Sequence, residues 1–161
     1  MIRNRILGLF AGVALLGAGG LFAQSSEGSL DDEIQLLRKD LRSEKKQIVA
    51  SNMQLTDAEA ERFWPAYDRF TAELTKINDE KAALILEYAQ NYGFLTDQKA
   101  EGYLERQAAI EEAGVRLRVK YIPVFRQILS GKSTALFFQI ERRIDLLIEL
   151  DLASQLPLIE P

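Results

Sequence analysis

The chain has 161 residues, with 20 Lys and Arg against 24 Asp and Glu, and it contains neither His nor Cys. That composition excludes disulfides, zinc–thiolate and iron–sulfur sites, thiol nucleophiles, and any catalytic triad or iron site built on histidine. The length suits one ordinary domain.

The first 23 residues read as a secretory signal peptide. Arg3 and Arg5 form a basic start, Ile6 to Ala23 carries no charge, and a small residue, Ala23, stands at the expected cut. The alternative is an uncleaved anchor, but eighteen Gly-rich residues fall short of a span of about 20. In either case the basic flank stays inside and the remainder is exported, to the periplasm. Losing Arg3 and Arg5 with the leader moves the net charge from −4 to −6, which disfavours nucleic acid as a partner. Membrane contact is then expected only through an uncleaved leader.

Residues 24–29 form a polar, flexible lead-in, and 30–156 carry helical periodicity throughout. The first helix opens at Ser29, with Asp31, Asp32 and Glu33 in its first turn, where negative charge suits the helix dipole. Ile34, Leu37, Leu41 and Ile48 make its apolar stripe. Arg38, Lys39, Arg42, Lys45 and Lys46 make a basic outer face, and the helix fades near Asn52. The second helix has a capping box, Thr56 with Glu59. Phe63, Tyr67, Phe70, Leu74, Ile77, Leu84 and Tyr88 then follow at spacings of four and three, interrupted only at Lys81. It stops near Asn91, with Gly93 as a left-handed terminator.

Thr96 and Asp97 start the third helix, which runs to Ile128 on a seam of Ala100, Tyr103, Gln107, Ile110, Gly114, Leu117, Tyr121, Val124 and Ile128. Aligning the two starts gives a weak internal repeat of about 40 residues, as in a helical hairpin. Leu129-Ser130 opens the last helix, striped by Phe137, Ile140, Ile144 and Leu147 and flanked by Phe138, Leu146 and Leu150. Pro157 closes it, and 157–161 form an extended tail. The fold expected is all-α: an elongated, bowed hairpin of two long helices, bent at Pro65 and Pro123, with a shorter helix at each end. So much side surface and so little private core make a homodimer the natural assembly.

Several patterns imitate catalytic motifs. Gly131-Lys132-Ser133 has the tail of a phosphate loop, but Arg126 stands where its first Gly belongs and no strand precedes it. Ser130 is therefore a helix cap. Ser43-x-x-Lys46 lacks the partner motifs of a nucleophilic serine. Glu141, Asp145 and Glu149 recur at four-residue spacing, which reads as a solvated stripe. No catalytic residue, cofactor or metal ligand is assigned. The aromatics are more informative. Trp64 and Phe138 sit beside seam positions and Phe94 lies in a joint, so they either close the ends of the hairpin or form an apolar patch for a partner. Arg116 and Lys120, with Arg142 and Arg143, are the candidate basic surround of such a patch.

The helix starts Leu55-Thr56-Asp57-Ala58-Glu59, Leu95-Thr96-Asp97-Gln98-Lys99 and Leu129-Ser130-Gly131-Lys132-Ser133 resemble the repeated Leu-Thr-x-x-Gln motif of the Spy/CpxP family. The fifth residue is Glu59, Lys99 and Ser133 rather than Gln. The resemblance implies a cradle-like antiparallel dimer in the periplasm. It implies a chaperone-like, ATP-independent protein that binds unfolded or misfolded envelope proteins, or a non-catalytic module that restrains the sensor kinase of a two-component stress system. Metal-handling relatives rely on His, Met and carboxylate ligands; the exported part holds a single Met, Met53, and no His, which argues against a metal role.

Overall fold

The computed structural model describes residues 43–159, and these residues are all-helical, with no strand among them. Helix α1 covers 43–53, α2 Asp57–Asn91, α3 Asp97–Arg126 and α4 Gly131–Gln155, with a 3₁₀ turn, Tyr92–Phe94, between α2 and α3. The leader at 1–23, the lead-in at 24–29 and the predicted helix between 30 and 42 lie outside the described residues. Among those described, no helix is long and apolar enough to cross a membrane.

The starts are set locally. Thr56 accepts from the Glu59 amide while the Glu59 carboxylate accepts from the Thr56 amide and hydroxyl, which completes the capping box. Thr96 and Ser130 cap α3 and α4 in the same way, through the amides of Lys99 and Ser133. Pro65 and Pro123 lie within continuous helix. The backbone carbonyl each leaves without its usual donor belongs to an exposed residue, Glu61 or Val119, where water can serve it.

Two ends differ from the sequence expectation. Gly93 is not left-handed; it sits within the 3₁₀ turn, which tightens the end of α2 without a positive φ. The left-handed residue is Gln54, φ 44°, which turns the chain from α1 into α2. Helix α3 stops at Arg126 rather than Ile128. There the amides of Gln127 and Ile128 reach back three residues, and the Arg62 guanidinium takes the Gln127 carbonyl at 2.9 Å.

The 4-3 seams hold α2 and α3 together as an antiparallel hairpin. Phe63 meets Phe125, Phe70 meets Tyr121, Arg106 pairs with Glu87, and Tyr88 meets Tyr103. Helix α4 then runs parallel to α2: Phe137 lies 5.3 Å from Phe63, Glu149 pairs with Lys81, and the Tyr88 hydroxyl donates to the Pro157 carbonyl at 2.6 Å. Helix α1 returns antiparallel to both, with Lys46 on Asp68 and Lys45 on Glu141.

All four helices therefore meet around one aromatic core. Phe63, Phe70, Phe125 and Phe137 are fully buried there, and Val49, Met53, Leu117 and Leu129 fill the gaps. Their ring centroids lie 4.4–6.2 Å apart in edge-to-face and tilted geometries that rings favour over face-to-face stacking. Leu84 and Tyr88 are buried as a smaller group further along the hairpin. Phe125, like Phe137, touches five other rings and has no exposed surface, so Phe125→Ala should lower stability by about 4 kcal/mol. Chemical denaturation followed by circular dichroism checks this; a loss under about 1 kcal/mol would show that the core does not depend on that ring.

Candidate interaction surface

The residues singled out in the sequence do not converge. Trp64 is half-buried on α2, edge-on to Phe63 and Tyr67, with the Lys46 ammonium 5.1 Å above its ring. Phe138 is half-buried on α4 against Phe70, Phe125 and Phe137. These two rings cover the core from different sides, whereas Phe94 stands in the α2–α3 joint, 84% exposed. The candidate cations are also dispersed. Arg116 pairs with Glu112 on its own helix, and Lys120 grips Glu73 on α2 at 2.6 and 2.8 Å. Arg142 lies 3.5 Å from Glu149, and Arg143 is exposed on α4.

The Tyr121 hydroxyl donates to Glu73 at 2.7 Å. Burial, with this charged acceptor, pushes Tyr121 up to about 12, and the same hydrogen bonds with Lys120 hold Glu73 below the usual carboxylate value. This is a clasp between α2 and α3 rather than an open cationic surface.

The acidic series on α4 departs most from expectation. Glu141 is 1% exposed rather than solvated, and its Oε2 lies 2.7 Å from Lys45 Nζ, a residue the sequence placed on an outer basic face. The approach is off the line a hydrogen bond requires, and Oε1 has no donor among the described residues, so the pair is held by Coulomb attraction. Asp145 shares the same ammonium at 3.5 Å. One turn further, Glu149 receives Lys81, the seam residue that interrupted the apolar pattern of α2. Four-residue spacing thus marks a line of contacts between helices, each acid met by a lysine from another helix. No three acidic side chains among the described residues converge as metal ligands would.

Burial raises the Glu141 carboxyl above its ordinary 4.5; Lys45 opposes that shift and Asp145 reinforces it. Tyr67 beside it is raised too, by burial and then by the Glu141 charge. For Glu149 burial acts upward, but Lys81 and Arg142 outweigh it and the net shift is down.

What remains uncovered is apolar. On α4, Leu136, Leu147 and Leu150 share a face with Arg143, at spacings of seven, four and three. Leu147 and Leu150 are 68% and 70% exposed, although Leu147 belonged to the predicted stripe. A second surface lies between α3 and α4: a groove of about 460 Å³ lined by Val115, Val119, Ile122, Ala135 and Phe138, with Arg118 and Arg126 at its edges. The 4-3 spacing of Val115, Val119 and Ile122, offset from the buried seam, is the sequence signal that marks this second stripe.

Compared with models of protein families, with characterised proteins and with solved structures, the chain matches none of them.

Glu141 binds its proton more tightly folded than unfolded, so between 4.5 and its raised value the folded state carries the extra proton. Stability then rises as pH falls through that window. Below 4.5 the trend reverses as Glu73 and Glu149, both shifted down, lose their charge. Lys45→Met should cost about 3 kcal/mol at pH 7 by stranding the Glu141 charge, and progressively less as the pH falls toward 4.5 and Glu141 takes up a proton. Glu141→Gln should remove the rise in stability that appears as the pH falls toward 4.5. Urea midpoints measured from pH 4 to pH 8 check both; a cost of Lys45→Met that does not change with pH would contradict this account.

Proposed function

We propose that the chain is an exported, non-enzymatic helical protein that captures apolar segments of unfolded or misfolded envelope proteins without ATP. The observation that carries the reading is the outer face of α4. In the folded unit Leu136, Leu147 and Leu150 remain open to water beside Arg143. Exposed apolar surface such as Leu147 and Leu150 form one turn apart is characteristic of binding sites. Burying one leucine side chain contributes about 2 kcal/mol, so three together contribute about 6 kcal/mol, which suits a weak, readily reversible grip of tens of micromolar at best.

Capture on such a face needs no covalent step, nucleotide or metal, which accords with a chain lacking His and Cys. Arg143, with Arg142 beside it, adds attraction for segments bearing acidic residues. The leader-like start supports export, and the three helix starts support kinship of type with the Spy/CpxP proteins. A cradle-like antiparallel dimer is the assembly that belongs with this reading.

The test is aggregation of a chemically denatured client, followed by light scattering without nucleotide. The wild-type chain at near-stoichiometric amounts should suppress scattering by more than half. Leu147→Ser with Leu150→Ser should lose most of that protection while keeping its helical content, because both side chains are already exposed. Protection equal to buffer, or a double variant as protective as wild type, would sink the proposal.

A further inference from the structure

We propose that the groove between α3 and α4 binds a long-chain fatty acid, its acyl chain lying along α3 and its carboxylate meeting Arg126. The site is separate from the outer face of α4 and does not depend on the capture of unfolded proteins there.

The walls of the groove are apolar. Val115, Val119 and Ile122 of α3 stand opposite Ala135 and Phe138 of α4, and Val119 is 61% open to water. The volume, about 460 Å³, falls within the ~300–1,000 Å³ typical of small-molecule sites. From Val115 to Arg126 the groove runs about 16 Å along the helix. Half of a bilayer core, the reach of one acyl chain, is about 15 Å. Spread over that length, the volume leaves a cross-section of about 30 Å². That admits a single extended chain, whereas a helix about 10 Å across would rest on the rim.

The polar groups favour an acyl chain over an extended peptide. Between Val115 and Ile122 the α3 wall is helix, with its backbone groups bonded internally. The Thr134 hydroxyl on the α4 wall already donates to the Ser130 carbonyl at 2.9 Å. A peptide backbone laid there would give up its hydrogen bonds to water and find few replacements. An acyl chain has no such groups to satisfy.

Charge places the head group. No acid lines the groove, and the first turn of α4 contains none. Arg118 is among the charges that hold Glu149 low, so it already serves a carboxylate of its own chain. Arg126 is exposed at the opposite end, and among the described residues no acid pairs with it. Its guanidinium lies against the start of α4, where a Cβ on Gly131 would come within 2.6 Å of Nη1. The glycine that imitates a phosphate-loop residue in the sequence therefore leaves room for this arginine. A guanidinium at the end of an apolar slot presents a planar fork that matches one carboxylate. A diacyl lipid would bring a second chain, for which the cross-section has no room.

The experiment is isothermal titration calorimetry of the full chain with sodium dodecanoate. One saturable site is expected, with a dissociation constant on the order of 100 μM. Octanoate, with its shorter chain, should bind about tenfold more weakly or worse. Dodecyltrimethylammonium, with the same chain and a cationic head, should also lose about tenfold or more. Arg126→Gln should weaken dodecanoate about tenfold and remove the preference between the two heads, and Val119→Asp should abolish binding. Both side chains are exposed, so circular dichroism should show unchanged helix in each variant. No saturable site, equal binding of the two heads, or an Arg126→Gln variant that matches wild type would each overturn the proposal. Flotation with phosphatidylglycerol vesicles in the absence of dodecanoate binding would overturn it in favour of a bilayer surface. An apolar peptide that is blocked by Val119→Asp but not displaced by dodecanoate would overturn it in favour of a protein segment. Loss of dodecanoate binding in Leu147→Ser with Leu150→Ser, but not in Val119→Asp, would move the ligand to the α4 face and likewise refute this site.

Discussion

The structure depends on a small set of rings packed where all four helices meet. Phe63 and Phe70 come from α2, Phe125 from α3 and Phe137 from α4, while Val49 and Met53 of α1 close the remaining side. A long two-helix hairpin buries only one stripe of each helix and gains little from each further turn. Aromatic side chains bury more area per residue than any others, so one dense knot of them can anchor helices that extend well beyond it. The caps at Thr56, Thr96 and Ser130 fix where each helix begins and hence which side chains arrive at the knot.

The buried acid Glu141 serves a different purpose. A carboxylate in such a place costs free energy unless a cation attends it, and Lys45 does so without ideal alignment. A pair of this kind adds little net stability. It does restrict how α1 can sit, because sliding the helix by a turn would leave Glu141 without its counter-charge. Lys81 and Glu149 repeat the arrangement further along, where apolar packing is thinner. Between them these pairs make one register of α4 cheaper than its neighbours.

The same economy of core leaves apolar surface unused. Among the described residues, no helix lies over the outer face of α4 or the stripe on α3. The two faces differ in what surrounds them. The α4 face has leucines and arginine, whereas α3 is mainly acidic in its first half and basic in its second.

The starts at Thr56, Thr96 and Ser130, the seam of α2 and the all-α class were legible in the sequence, because capping and 3.6-residue periodicity are local chemistry. The seam of α3 was legible at Gly114, Leu117 and Tyr121, but its pattern named Val124 where Phe125 is the buried ring and included Gln107, which is exposed. Thr56 with Glu59, and Phe63 through Tyr88, needed no tertiary information. Local chemistry could not say which face of a short helix meets another. Lys45 reads as one of a run of surface lysines, and Glu141 as one of a run of surface acids, until α1 and α4 are laid together. Leu147 continues an apolar stripe, yet it is exposed because no other described helix covers that part of α4. Trp64, Phe94 and Phe138 could be named as unusual but not placed, since each joins a different neighbourhood. By itself the sequence determined where α2, α3 and α4 begin and which stripe α2 hides. Only the tertiary structure decided which charges are buried and which leucines remain bare, because burial belongs to pairs of helices and periodicity to one.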